Sequence, residues 1–87
     1  MFRTEDILEK LKARPFEPFR IRVTDGATYD ILHPEFVMVS KNKVVVYVPS
    51  YKLPHPYFER ADTVAIMHIT RLEPMEPPAT PAPSQAG

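Results

Sequence analysis

The chain contains no cysteine and no tryptophan, and only two glycines among its 87 residues. Without cysteine there is no disulfide framework, no thiolate metal site and no thiol nucleophile. Gly26 is the single glycine inside the body of the chain, so no glycine-rich phosphate loop can be built. No apolar run approaches the roughly 18 residues that span a bilayer, and no membrane partner is expected. Met1-Phe2-Arg3-Thr4-Glu5-Asp6 places acids where a secretion signal has its apolar region, so a cytoplasmic protein is expected. Net charge is missing as well: 11 basic and 11 acidic residues cancel, which argues against a nucleic-acid partner.

Proline, by contrast, is abundant, with eleven in the chain. Pro15 and Pro18 bracket Phe16-Glu17, Pro34 interrupts an apolar stretch, and Pro49, Pro54 and Pro56 share one loop. The other five fall between Pro74 and Pro83, in a stretch whose one large apolar residue is Met75. Such a segment buries too little surface to offset its ordering entropy. The sequence therefore predicts one folded domain over residues 1–73 and a disordered Pro-rich tail over 74–87. Pro74-x-x-Pro77 and Pro78-x-x-Pro81 have the spacing of ligands for Pro-binding grooves, although that spacing is common in any Pro-rich stretch. The charge divides at the same place. Residues 1–72 hold all eleven basic residues against nine acids, and the remaining two acids lie in 73–87. The neutral sum thus hides a weakly basic body, and a body this small gains from oligomerisation.

Thr4 is a good N-cap, Glu5 and Asp6 suit the first turn of a helix, and Lys10 and Lys12 suit its last turn. Ile7, Leu8 and Leu11 form one stripe, and Pro15 ends the helix. The period then changes to two. Phe19, Ile21 and Val23 alternate with Arg20, Arg22 and Thr24, which predicts a half-buried strand. Asp25-Gly26 predicts a two-residue type I′ hairpin. A second strand over Ala27–Leu32 meets a corner at His33-Pro34-Glu35 and resumes over Phe36–Ser40. Lys43–Val48 is rich in β-branched residues and predicts a central strand buried on both faces. Residues 49–61 read as a long aromatic loop, followed by strands over Asp62–Met67 and Thr70–Glu73, with a 3₁₀ turn near His68. The expected fold is mainly β: an N-terminal helix and a five-stranded antiparallel small barrel, Sm-like or SH3-like.

Arg14-Pro15-Phe16-Glu17-Pro18-Phe19-Arg20-Ile21-Arg22-Val23, then Asp25-Gly26-x-x-Tyr29, His33-Pro34-Glu35 and His68-Ile69-x-Arg71-Leu72-Glu73-Pro74 resemble a group of short bacterial proteins. That resemblance implies no activity. The element order and Met67-His68-Ile69-Thr70 also resemble Sm-like barrels of the Hfq type, which bind RNA. Here Met67 replaces the lysine of that family's signature. The acidic residue and Asn that hold a base in Sm proteins have no counterpart after the second strand. This resemblance therefore implies the fold more than RNA binding.

Four kinds of chemistry were weighed. His33 and Glu35, completed by His55 or His68, offer metal ligands, but none has the i, i+4 spacing of a strong motif. Ser40 and Ser50 lack a nucleophile motif, and Asp30 and Glu35 lack a cleft that would separate their protonation. Neither a cofactor nor a catalytic residue is expected. Arg20 and Arg22 share an outward face, and Lys52 stands beside Tyr51, Tyr57 and Phe58. Cations beside aromatics can hold single-stranded nucleic acid, while the plainer reading is a solvated, charge-guarded edge. Lastly, Phe16, Phe19, Phe36, Val44, Val46, Tyr57, Phe58, Val64 and Ile66 exceed what a five-stranded barrel readily hides. The reading is a non-enzymatic interaction module, a homo-oligomer or the binder of a protein partner. Its binding residues would be Arg20, Arg22, Tyr51, Lys52, His55, Tyr57 and Phe58. The alternative is an Sm-like RNA binder with His68 at its rim; a small metal protein or enzyme comes third.

Overall fold

The computed structural model describes residues 1–75. Its elements in chain order are α1 (Thr4–Lys12), β1 (Phe19–Val23), β2 (Thr28–Ile31), a 3₁₀ turn (Pro34–Phe36), β3 (Val37–Val39), β4 (Lys43–Pro49), β5 (Phe58–Ala65), a second 3₁₀ turn (Ile66–His68) and β6 (Ile69–Pro74). Residues 76–87, which hold most of the expected Pro-rich tail, lie outside the described residues. Pro74 itself pairs with Phe19 at the end of β6, and the Met75 amide donates to the Pro18 carbonyl at 3.1 Å.

The strands form two three-stranded antiparallel sheets, ordered β2-β1-β6 and β3-β4-β5. This corrects the expected five-stranded barrel. The corner at Pro34 becomes a turn of 3₁₀ helix that carries the chain from one sheet to the other, so the second strand is two strands in two sheets. Among the described residues no backbone ladder joins the sheets, and the barrel is not closed. What joins them is apolar contact. Ile7, Phe19, Ile21, Ile31, Phe36, Val37, Val44, Val46, Val64, Ile66 and Ile69 form one buried cluster drawn from the helix, both sheets and both turns. Period-two alternation explains it: Phe19 and Ile21 on β1, and Val44 and Val46 on β4, point to the same interior. Val45 and Tyr47 are half-buried, so β4 is central but not equally buried on its two faces.

The helix begins one residue earlier than expected. Arg3 is the N-cap, and its amide donates to the Asp6 carboxylate at 2.9 Å. The Thr4 hydroxyl instead donates to the Lys41 carbonyl at 2.8 Å, which clasps the helix to the β3–β4 turn. At the other end the Arg14 guanidinium donates to the Leu11 and Ala13 carbonyls, which would otherwise lack partners. Ile7, fully buried, is the helix's main anchor.

The β1–β2 turn also differs from expectation. Type I′ requires positive φ at both central residues, whereas only Gly26, at φ +93°, is positive. The Gly26 amide donates to the Val23 carbonyl at 2.9 Å, and the Val23 amide to Ala27 at 3.0 Å. This is a three-residue hairpin with glycine at the left-handed position, and the Asp25 carboxylate caps the Ala27 amide at 2.9 Å.

Two stability measurements follow. Ile7→Ala should lower the unfolding free energy by about 2–4 kcal/mol in urea titrations, since it removes a fully buried anchor. Gly26→Ala should cost about 1–2 kcal/mol from backbone strain alone, because an added Cβ meets nothing within 4 Å.

Candidate interaction site

β5 starts at Phe58, earlier than the sequence suggests, because Phe58–Ala61 pair with Pro49–Tyr47. The aromatic loop is thereby shortened to residues 50–57. Its root is built of rings. Phe58 meets Phe36 edge-to-face at 5.4 Å and Tyr47 at 5.5 Å, and His55 stands edge-on to Phe58 at 6.0 Å. The His55 Nε2 lies 3.4 Å from a Glu35 carboxylate oxygen. His33 packs against Phe36 at 5.1 Å.

The loop also satisfies its own backbone. The Ser50 hydroxyl accepts from the Lys52 and Leu53 amides at 3.0 and 3.2 Å, and the Tyr57 amide donates to the Pro54 carbonyl at 2.9 Å. With the main chain turned inward on itself, the side chains at the tip face out. Tyr51 is 101% exposed, Tyr57 53% and Leu53 48%, so none of the three supports the core. Tyr51 stands between two hollows. One, of about 530 Å³, is lined by Lys52, Leu53 and Tyr57; the other, of about 430 Å³, runs between Thr28–Leu32 of the first sheet and Tyr47–Pro49 of the second. Ser50, Tyr51 and Glu59 line both, which makes them one groove. Its second half exists because β3 covers β4 only as far as Val46, and the chain then leaves for the other sheet.

Below this groove lies the one polar link between the sheets' inner faces that the sequence did not reveal. The Tyr29 hydroxyl, on β2, donates to Asp62 of β5 at 2.7 Å, and Arg60 donates to the other carboxylate oxygen at 3.1 Å. Burial, reinforced by the hydrogen bond to the Asp62 anion, pushes the Tyr29 phenol up to about 12. The Tyr29 hydrogen bond, with Arg60 behind it, holds the Asp62 carboxyl below its usual range. The period-two pattern places Tyr29 on the inner face with Ile31, but nothing in the spacing pairs it with a residue 33 positions away.

Arg20 and Arg22 lie apart from the loop, on the outer face of the first sheet, and each has an acidic partner. Arg20 Nε donates to Asp30 at 2.6 Å, directly across the β1–β2 ladder. Arg22 faces Arg71 across β1–β6, a like-charge pair, and Glu73 accepts from both, at 2.8 and 3.2 Å. The hydrogen bond from Arg22, then that from Arg71, holds the Glu73 carboxyl below its ordinary range. These exposed pairs add little stability, but they leave the face nearly neutral.

His68 sits in the second 3₁₀ turn, its Nδ1 3.5 Å from the Thr24 hydroxyl, and its carbonyl accepts from the Thr24 amide at 2.9 Å. It shares neither hollow with Tyr51. Of the residues weighed as metal ligands, Glu35 and His55 meet, whereas His68 lies elsewhere. Among the described residues no three His, Cys, Asp or Glu side chains gather to hold an ion. No described helix is long and apolar enough to cross a membrane. The structure thus brings Tyr51, Lys52, His55, Tyr57 and Phe58 to one region and leaves Arg20, Arg22 and His68 outside it. Tyr47 and Glu35 are the members that sequence reasoning did not place there.

No protein-family model, curated protein or solved structure matches the chain.

The Tyr29–Asp62 link sets a pH dependence. Carboxyls depressed in the folded state stabilise it above their unfolded range and lose that contribution as pH falls through the folded range. For Asp62 and Glu73 the unfolded values are 3.8 and 4.5, so urea midpoints should fall on acidification below about pH 4. On the alkaline side the raised phenol should cost stability as pH climbs from 10.0 toward about 12. Tyr29→Phe should lose about 1 kcal/mol at neutral pH and flatten both limbs.

Proposed function

We propose that the protein is a non-enzymatic interaction module that takes an extended segment of a protein partner along the groove centred on Tyr51. The observation that carries this reading is a wholly exposed tyrosine, standing between two joined hollows, on a loop whose backbone bonds are satisfied internally. Tyrosine supplies a large amphipathic contact area with few torsions to immobilise, which suits recognition more than folding. The groove's own charges are balanced, since Arg60 is held by Asp62 and Asp30 by Arg20.

That balance favours a protein segment over RNA. An RNA site needs surplus cations beside the rings, and here Lys52 is the cation beside Tyr51 and Tyr57. The element order, with a bent second strand and a 3₁₀ turn before the last strand, supports reading the two sheets as an opened small barrel of the Sm-like or SH3-like kind. Within that reading β5 and β6 each pair on one side only, so self-association through a sheet edge is a second route to partners. The nine apolar residues do not by themselves require it: Phe19, Phe36, Val44, Val46, Val64 and Ile66 are all in the core.

Selection of a displayed random-peptide library on the full chain tests the groove. Enriched peptides should bind the protein and lose most of their affinity to Tyr51→Ala and Tyr57→Ala, with unfolding midpoints unchanged. No enrichment, or binding indifferent to both substitutions, would refute the reading. Light scattering across a concentration series gives the mass, and a co-purifying ultraviolet signature of nucleic acid would favour RNA instead.

A further inference from the structure

Resting on that groove as a binding site, we infer that its occupant in the free chain is the protein's own Pro-rich segment, residues 77–83, bound within the same molecule. Three observations converge. The first is reach. Pro74 pairs with Phe19, which pairs on its other side with Ile31, and the next residue, Leu32, lines the groove. The chain therefore leaves the fold two strand spacings, about 10 Å, from the groove wall. Twelve residues follow Met75. At about 3.1 Å per residue in polyproline II geometry they can span about 37 Å, ample to run past Leu32 to Tyr51.

The second is chemistry. Pro77-Pro78-Ala79-Thr80-Pro81-Ala82-Pro83 is low in backbone donors, so it cannot pair as a strand with the free edge of β2. It can present proline faces to rings, and Tyr47, Tyr51 and Tyr57 stand in succession along the groove. The third is charge. Residues 77–87 carry no charged side chain, and the walls hold their charges in pairs, with Glu59 and Lys52 at the rim. A neutral ligand meets neither repulsion nor an unpaired buried ion there. Tethering supplies a high effective concentration, so a weak contact suffices, and a partner segment must displace it. The tail then acts as a built-in competitor that sets the affinity threshold for partners.

The absence of cysteine makes the test direct. Ser84→Cys creates a unique thiol for a nitroxide label on the full chain, read by broadening of backbone amide resonances. The expected result is loss of most of the signal at Leu32, Tyr51, Lys52 and Leu53. It should be restored by Tyr51→Ala with Tyr57→Ala and, independently, by replacing Pro77, Pro78, Pro81 and Pro83 with alanine outside the described fold. Broadening confined to the neighbours of Met75, or spread evenly over the surface, would overturn the inference. So would broadening that survives when label and isotope are carried by separate molecules, because the occupant would then be a second copy. If library peptides bind through Tyr51 while the label reports no contact, the groove stands and the tail assignment falls. If neither is seen, both fall.

Discussion

The fold depends on apolar contact between two sheets that share no described backbone ladder. A closed small barrel ties its strands together through continuous hydrogen bonding. Here the chain crosses from sheet to sheet through two short 3₁₀ turns, and the interior side chains hold the halves in place. Burial is non-directional, so it can press the sheets together without choosing their relative position. The directional element is the Tyr29–Asp62 hydrogen bond, from an edge strand of one sheet to an edge strand of the other. The helix clasp, from Thr4 to the β3–β4 turn, closes the opposite side.

The same incomplete closure generates the groove. Where β3 stops pairing with β4, the two sheets diverge and leave a hollow between β2 and the second half of β4. A continuous bent strand would have filled it. The loop that follows β4 then places Tyr51 at the mouth, anchored through Phe58 and His55 onto Phe36. The candidate site is therefore a consequence of the way the core is assembled, and its geometry is held by core residues.

Local patterning made the elements legible. The alternation of Phe19, Ile21 and Val23, the turn at Gly26 and the proline stops each reflect interactions within a few residues. Pairings between distant residues were not legible. Arg20 and Arg22 look like free outward cations until Asp30 and Glu73 are seen beside them on neighbouring strands. Thr4 looks like a helix cap, although its hydroxyl goes to a carbonyl 37 residues away. Phe58 reads as loop because a bulge at Val48 and Pro49 shifts the register and brings it into β5. Strand count and closure failed for a related reason. Whether a bent strand stays in one sheet is decided by which neighbours it finds, and period alone does not carry that information.

The division of labour in the aromatic loop has a consequence for how this protein can change. Phe58 is shared between fold and site, so alterations there are constrained twice. Tyr51, Leu53 and Tyr57 contribute nothing to the interior, and the loop's turns are held by Ser50 and Pro54 through main-chain contacts that do not depend on those side chains. Their identities can drift without eroding thermodynamic stability. Specificity and foldability are thus encoded in separate residues only a few positions apart, which leaves this scaffold free to acquire new ligands by altering a handful of tip positions.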